Sequence, residues 1–132
     1  MTNNVVDELV SLLTLERLEE NLFRGQSRDI GTKYVFGGQV LGQSLSAAQQ
    51  TVDAARSVHS IHAYFLRGGR EGAAIQYRIE RDFDGRSFAN RRVVAAQENE
   101  EGIAVPILNL TASFQQPEEG LEHIDSPMPD VA

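Results

Sequence analysis

Three imidazoles, those of His59, His62 and His123, are the side chains of a type suited to proton transfer near neutral pH. His59 and His62 stand three apart in Val58 to Leu66, a run with strand character, and on a regular strand they point to opposite faces. They therefore do not form an i, i+2 pair of metal ligands on one face. His123 lies beyond Pro117 in a stretch without periodicity and reads as a surface residue. The chain has no cysteine, which excludes a thiolate nucleophile, a cysteine-ligated metal and a disulfide framework together. Carboxylates gather only around turns: Glu80, Asp82 and Asp84 flank Asp84-Gly85, and Glu98, Glu100 and Glu101 read as a solvated loop. No carboxylate pair, metal site or cofactor is expected from these residues.

The elements that must position these groups follow from hydrophobic period. Val6, Leu9, Val10 and Leu13 fall at i, i+3, i+4 and i+7, a short amphipathic helix that Asn4 and Asp7 could cap. Leu15 to Arg24 fits helical and extended templates about equally, and only its later part, near Asn21 to Gln26, is assigned as a strand. Gly37-Gly38 opens a helix to Val52 with an apolar stripe of Leu41, Leu45, Ala48 and Val52 and a small-residue stripe of Gly38, Gly42 and Ser46. It carries no charge, so it should be buried on most sides. Strands follow at Val58 to Leu66, Ala73 to Asp82, Ser87 to Gln97 and Ile103 to Gln115, joined by turns at Gly68-Gly69, Asp84-Gly85 and Glu98 to Gly102 as three consecutive hairpins. Pro106 cannot donate to a ladder and implies a bulge or an edge near that point. The expected class is α+β, the hotdog fold: one long central helix wrapped by an antiparallel sheet of about five to six strands. Residues 1–116 form this domain, and 117–132, rich in proline and acid, begin an interdomain linker or a loose tail.

With 132 residues, 41% hydrophobic and 23% charged, the chain has the size of one globular domain. Twelve Lys+Arg against nineteen Asp+Glu give a net charge of −7, so the surface as a whole repels nucleic acid and anionic membranes. An anionic ligand would need a local basic pocket. Tyr34 to Val52, the longest charge-free run, is too polar to span a membrane, and the N-terminus lacks a secretory pattern. A cytoplasmic protein without membrane insertion is the expectation.

The words of the sequence carry more. Leu22-Phe23-Arg24-Gly25-Gln26-Ser27, then Val35-Phe36-Gly37-Gly38-Gln39-Val40-Leu41-Gly42-Gln43, then His59-Ser60-Ile61-His62-Ala63-Tyr64-Phe65-Leu66-Arg67 follow in order. Asp84-Gly85-Arg86-Ser87-Phe88 with Arg91-Arg92-Val93, and Leu110-Thr111-Ala112-Ser113-Phe114-Gln115, complete the set. Together, over roughly residues 7–123, they resemble the N-terminal half of the acyl-CoA thioesterase II family. Gly68 stands where the family usually has proline, and the Gln97 to Ile107 hairpin looks longer than usual; both departures lie in turns.

The resemblance implies a double hotdog that hydrolyses acyl-CoA to free fatty acid and CoA without a metal. It places the water-activating Asp, Thr or Ser, and Gln in a second hotdog, so this half alone is expected to be inactive or weakly active. Phe36, Gly37, Gly38 and Gln39 then become candidate substrate contacts, because a helix N-terminus offers free N–H groups to a developing oxyanion and glycine admits a ligand close to the backbone. Packing of the helix on the sheet explains the same glycines. His59 is the candidate catalytic residue of this half, although without an acidic partner a structural or substrate-lining role suits it better. His62, Arg67 and Arg91 are further candidate substrate contacts; Arg67, Arg86 or Arg91 could meet CoA phosphates. Only one of Arg91 and Arg92 can face a given pocket. The implied partners are acyl-CoA and a second hotdog, in the same longer chain or in a homodimer. The alternative is a non-catalytic acyl-CoA binding or scaffolding protein. A hotdog hydratase, which carries Asp and His on the helix and its preceding loop, fits least, since Tyr34 to Val52 has neither.

Overall fold

The computed structural model describes residues 4–28, 31 and 34–132. The first helix, α1, spans Asn4–Leu13, with Asn4 as its first residue and Asp7 in its first turn, where a carboxylate complements the positive helix end. Leu15 to Arg24 resolves into a hairpin, β1 (Glu16–Glu19) and β2 (Leu22–Gly25). The earlier half is thus a strand that hydrophobic period did not reveal. Its pairing is set across the hairpin: Glu16 faces Arg24 and bonds to it at 2.7 Å, and the Arg17 guanidinium lies 5.2 Å from the Phe23 ring centre.

The central helix, α2, runs Gly37–Gln49, followed by β3 (Ser57–Phe65), β4 (Ile75–Asp84), β5 (Phe88–Glu98) and β6 (Ala104–Gln115). All six strands join one antiparallel sheet in the order β1-β2-β4-β5-β6-β3. This is the expected α+β hotdog. The expectation of three consecutive hairpins is corrected, however: β3 pairs with β6, and β4 pairs with β2 and β5. Gly68-Gly69 therefore begins a crossover rather than a hairpin turn. The anticipated irregularity near Pro106 is a register shift, with Ala95 opposite Leu108 and Ala96 opposite Pro106, which leaves Ile107 over.

One sheet face packs on α2. Phe23, Ile75, Tyr77, Ile79, Ala89, Val93, Ala95, Leu108, Leu110, Ala112 and Phe114 alternate inward along β2, β4, β5 and β6. From Gly37 to Gln49 only Gly38 is exposed. The buried side of the helix is more polar than the leucine stripe suggested: Val40, Gln43, Ser44 and Ala47 are buried, whereas Leu41 and Leu45 are half-buried. The small-residue stripe serves close approach, because Ser46 Oγ donates to Leu13 O at 2.7 Å and Gly42 lies against the Leu13 side chain. No described helix is long and apolar enough to cross a membrane. Residues 116–132 carry no helix or strand and are exposed.

Arg91 sits in the core with 1% of its side chain exposed. Its five N–H donors meet five acceptors: Nε to Thr51 Oγ1 (2.8 Å), Nη1 to Phe83 O and Asn90 O, Nη2 to Thr51 O (3.0 Å) and Asp84 Oδ1 (2.7 Å). The guanidinium thus ties the segment after α2 to the ends of β4 and β5. Asp84 is half-exposed and loses little if its partner goes, whereas Thr51 is buried and cannot turn to water. Arg91→Met should therefore lower stability by about 3 kcal/mol, and Asp84→Asn by less than about 1 kcal/mol. Urea unfolding of both variants tests this; equal losses would show that the ion pair, not the carbonyl and hydroxyl contacts, holds the corner.

Candidate functional site

The N-terminus of α2 opens beside β3. Phe36, the N-cap, is extended (φ −64°, ψ 128°) and its carbonyl accepts from the N–H of Gln39 (3.1 Å) and Val40 (3.4 Å). Among the described residues no backbone acceptor receives the N–H of Gly37 or Gly38, as helix geometry requires of a first turn. A Cβ at Gly37 would lie 3.0 Å from the Phe65 ring, and one at Gly38 would lie 2.6 Å from the Phe36 ring.

An open cleft of about 340 Å³ adjoins this helix end, with Val35, Val40 and Ile107 against the core and Gly37, Phe65 and Arg67 at its margin. The crossover after β3 forms one wall. It is held by Val35 N–H to Gly69 O (2.9 Å) and by the N–H groups of Leu66 and Arg67, which both donate to Ile107 O. Gly69 has no room for a side chain: a Cβ there would be 2.4 Å from Val35 Cγ1. Tyr34, Phe36, Phe65 and Leu66 give the mouth an exposed apolar rim.

Behind the helix end, Gln43 is fully buried. Its Nε2 donates to Leu12 O (2.8 Å) and Gln26 O (3.1 Å), and its Oε1 accepts from the Tyr77 hydroxyl (2.5 Å). Burial pushes the Tyr77 phenol far above its ordinary pKa, so it remains the donor. Gly25 passes so close that a Cβ would lie 2.7 Å from Gln43 Oε1.

The sequence-derived candidates divide. Phe36, Gly37 and Gly38 border the helix end, and Arg67 borders the cleft. Gln39 is buried, and its amide is spent on Gln26 O (2.9 Å) and the Arg28 N–H (3.3 Å). Arg91 is a core residue with every donor taken, and Arg92, its neighbour, turns outward to Asp82. Arg91 is therefore corrected from a phosphate contact to a core staple, and Gln39 from a ligand contact to an anchor of the loop before α2.

His59 and His62 do not point to opposite faces. The β3–β6 register slips between Val58 and Ser60, so His59 occupies a bulge and reaches Ser113 Oγ at 2.7 Å. His62 is opposite Thr111, on the same sheet face as Ser113, and meets the Tyr64 ring edge-on at 4.8 Å. Both are exposed on the face turned away from α2. No carboxylate of the described residues lies within ion-pair distance of either, and none of these residues forms a metal-ligand cluster.

Sequence reasoning passed over Arg70 and Gln97, which border the far side of the crossover. One signal was present: Gln97 continues the inward parity of Val93 and Ala95 and is buried where an apolar residue would pack.

Residues 24–115 match the family model described as the acyl-CoA thioesterase N-terminal domain. The chain is 43% identical over 129 residues to acyl-CoA thioesterase 2 of Haemophilus influenzae, covering 98% of this chain and 43% of that protein. It matches the crystal structure of an acyl-CoA thioesterase II from Mycobacterium marinum with a TM-score of 0.76 at 40% identity, over 95% of this chain and 44% of the other. A hotdog protein from Alicyclobacillus acidocaldarius matches with a TM-score of 0.78 at 20% identity, covering 95% of this chain and 46% of that one, a likeness of fold. The chain spans less than half the length of the curated relatives it matches.

Two of the close-approach glycines, Gly25 and Gly38, should respond differently to a methyl group. Phe36 is 60% exposed and can swing aside, so Gly38→Ala should change stability by less than about 1 kcal/mol. Gly25→Ala must displace a buried, fully bonded amide and should cost about 2–4 kcal/mol. Thermal unfolding of the two variants decides; a tolerated Gly25→Ala would show that the Gln43 amide can shift freely.

Proposed function

Because the chain belongs to the acyl-CoA thioesterase N-terminal domain family, we propose that it is the first hotdog of an acyl-CoA thioester hydrolase, contributing acyl-CoA contacts to a site that a second hotdog completes. The family match over residues 24–115 carries this reading. The cleft beside α2 supports it, since an apolar rim and two first-turn N–H groups suit a thioester whose carbonyl gathers negative charge. In this reading Phe36, Gly37 and Gly38 border the thioester, Arg67 meets a CoA phosphate and His62 lines the outer sheet face.

The water-activating carboxylate, hydroxyl and amide are assigned to the second hotdog. Support comes from His59, which bonds to Ser113 rather than to an acid, and from the first turn of α2, which has no acidic residue. The unpaired edge of β3 favours such a partner. This strand carries Ile61, Tyr64 and Phe65 exposed and has neither proline nor lysine to discourage pairing. A second hotdog of a longer chain, or another copy, would cover it. Residues 1–116 are the domain and 117–132 the start of an interdomain linker or a loose tail.

That no carboxylate of the described residues pairs with His59 also favours a second reading, a hotdog that binds acyl-CoA without hydrolysing it. Hydrolysis of a medium- or long-chain acyl-CoA by the purified chain tests the assignment, with wild type and His59→Ala side by side. Turnover should be absent or very weak in both. Steady turnover abolished by His59→Ala would show that this half holds a working site of its own.

A further inference from the structure

In a chain of net charge −7, two arginines beside the cleft have no acid partner among the described residues. Arg24, Arg28, Arg81, Arg91 and Arg92 each pair with a carboxylate. Arg67 and Arg70, both exposed, bond only to carbonyls: Arg67 Nη1 to Pro106 O at 2.6 Å, and Arg70 Nη2 to Glu98 O. They flank a recess of about 170 Å³ that shares Arg67, Gly68 and Ile107 with the cleft, so the two hollows are neighbours.

Arg70 is held in place by a buried amide. Gln97 is 5% exposed; its Oε1 accepts the Arg70 N–H at 2.8 Å and its Nε2 donates to Arg70 O at 3.0 Å and Ala73 O at 3.2 Å. Burying an amide is costly unless it is bonded, and the bonds of this one go to the segment that presents Arg70. Tyr34 bridges to Arg70 from the other side. The result is a fixed backbone at Arg70 and a guanidinium tied by one nitrogen to Glu98 O, with most of its donors unspent.

The anchoring carbonyls sit on neighbouring strands, Pro106 opposite Ala96 and Glu98 two residues further along β5. Strand rise and spacing put them about 8 Å apart. Two separate anionic groups of one ligand fit that arrangement better than a single phosphate. The Glu98 carboxylate also borders the recess, and the two guanidinium charges outnumber it.

Resting on the acyl-CoA reading above, we propose that Arg67 and Arg70 form a two-pronged subsite for the nucleotide end of CoA, Arg67 on the 5′-diphosphate nearer the cleft and Arg70 on the ribose 3′-phosphate. The subsite makes the domain selective for CoA thioesters over thioesters that lack the 3′-phosphate. Calorimetric titration of the 132-residue chain with S-hexyl-CoA, a thioether that cannot be hydrolysed, and with its 3′-dephospho counterpart tests this. Arg70→Gln should weaken S-hexyl-CoA about tenfold and leave the dephospho ligand unchanged, while Arg67→Gln weakens both. An Arg70→Gln that affects both ligands alike, or neither, overturns the subsite and leaves the acyl-CoA reading intact. Failure of the wild type to bind either ligand overturns both. Should Arg70→Gln not fold, the wild type alone decides: losing the 3′-phosphate must weaken binding about tenfold, and equal affinities overturn the proposal.

Discussion

A helix can be enclosed by a sheet only if every polar group it carries inward finds a partner, and in this domain that condition is met chiefly at Gln43. One amide bonds to the end of α1, to the strand-end loop at Gln26 and to the Tyr77 hydroxyl on β4. Three elements that share no strand pairing with α2 are thereby set against it. Gly25 and the upward-shifted phenol of Tyr77 are consequences of the same contact: the first makes room for the amide, and the second stays protonated so that it can donate. Ser44 and Ser46 complete the pattern by bonding to Val40 O and Leu13 O.

Arg91 plays the matching part at the other end of the helix. Both networks use an inward polar side chain to collect carbonyl oxygens, and both lie away from the first turn of the helix. There the groups are glycines, an exposed aromatic rim and a crossover held by backbone bonds, a region open to a ligand because the stabilising contacts lie elsewhere.

Much of the fold was legible in the sequence. The helix periods of Val6 to Leu13 and Gly37 to Val52, and the alternation of Ala73 to Asp82, correspond to α1, α2 and β4 within a few residues. Pairing was not legible, because alternation is a local property whereas the sheet order depends on which strand lies beside which across the helix. Gly68-Gly69 therefore resembled a hairpin turn. The bulge at His59 was hidden for the same reason: it exists only relative to β6. Of the candidate site, the Gly37-Gly38 helix end and Arg67 were singled out mainly through the family resemblance and border the cleft, whereas Arg91 lies in the core, although an arginine in a strand is usually solvated. The clue to its burial was parity, since Arg91, Val93, Ala95 and Gln97 share the inward face of β5.

The sheet order also sets a sequence of events during synthesis. Ser57 of β3 pairs with Gln115 of β6, so the strand leaves the ribosome well before the one strand that pairs with it among the described residues exists. At about 5–20 residues per second, the intervening chain takes roughly 3–12 s to appear. Throughout that interval the Val58 to Phe65 segment, with Ile61, Tyr64 and Phe65, is an unpaired apolar strand, while β4 and β5 can already fold back on each other. Until β6 appears, this unpaired strand is open to aggregation, whatever the stability of the finished domain.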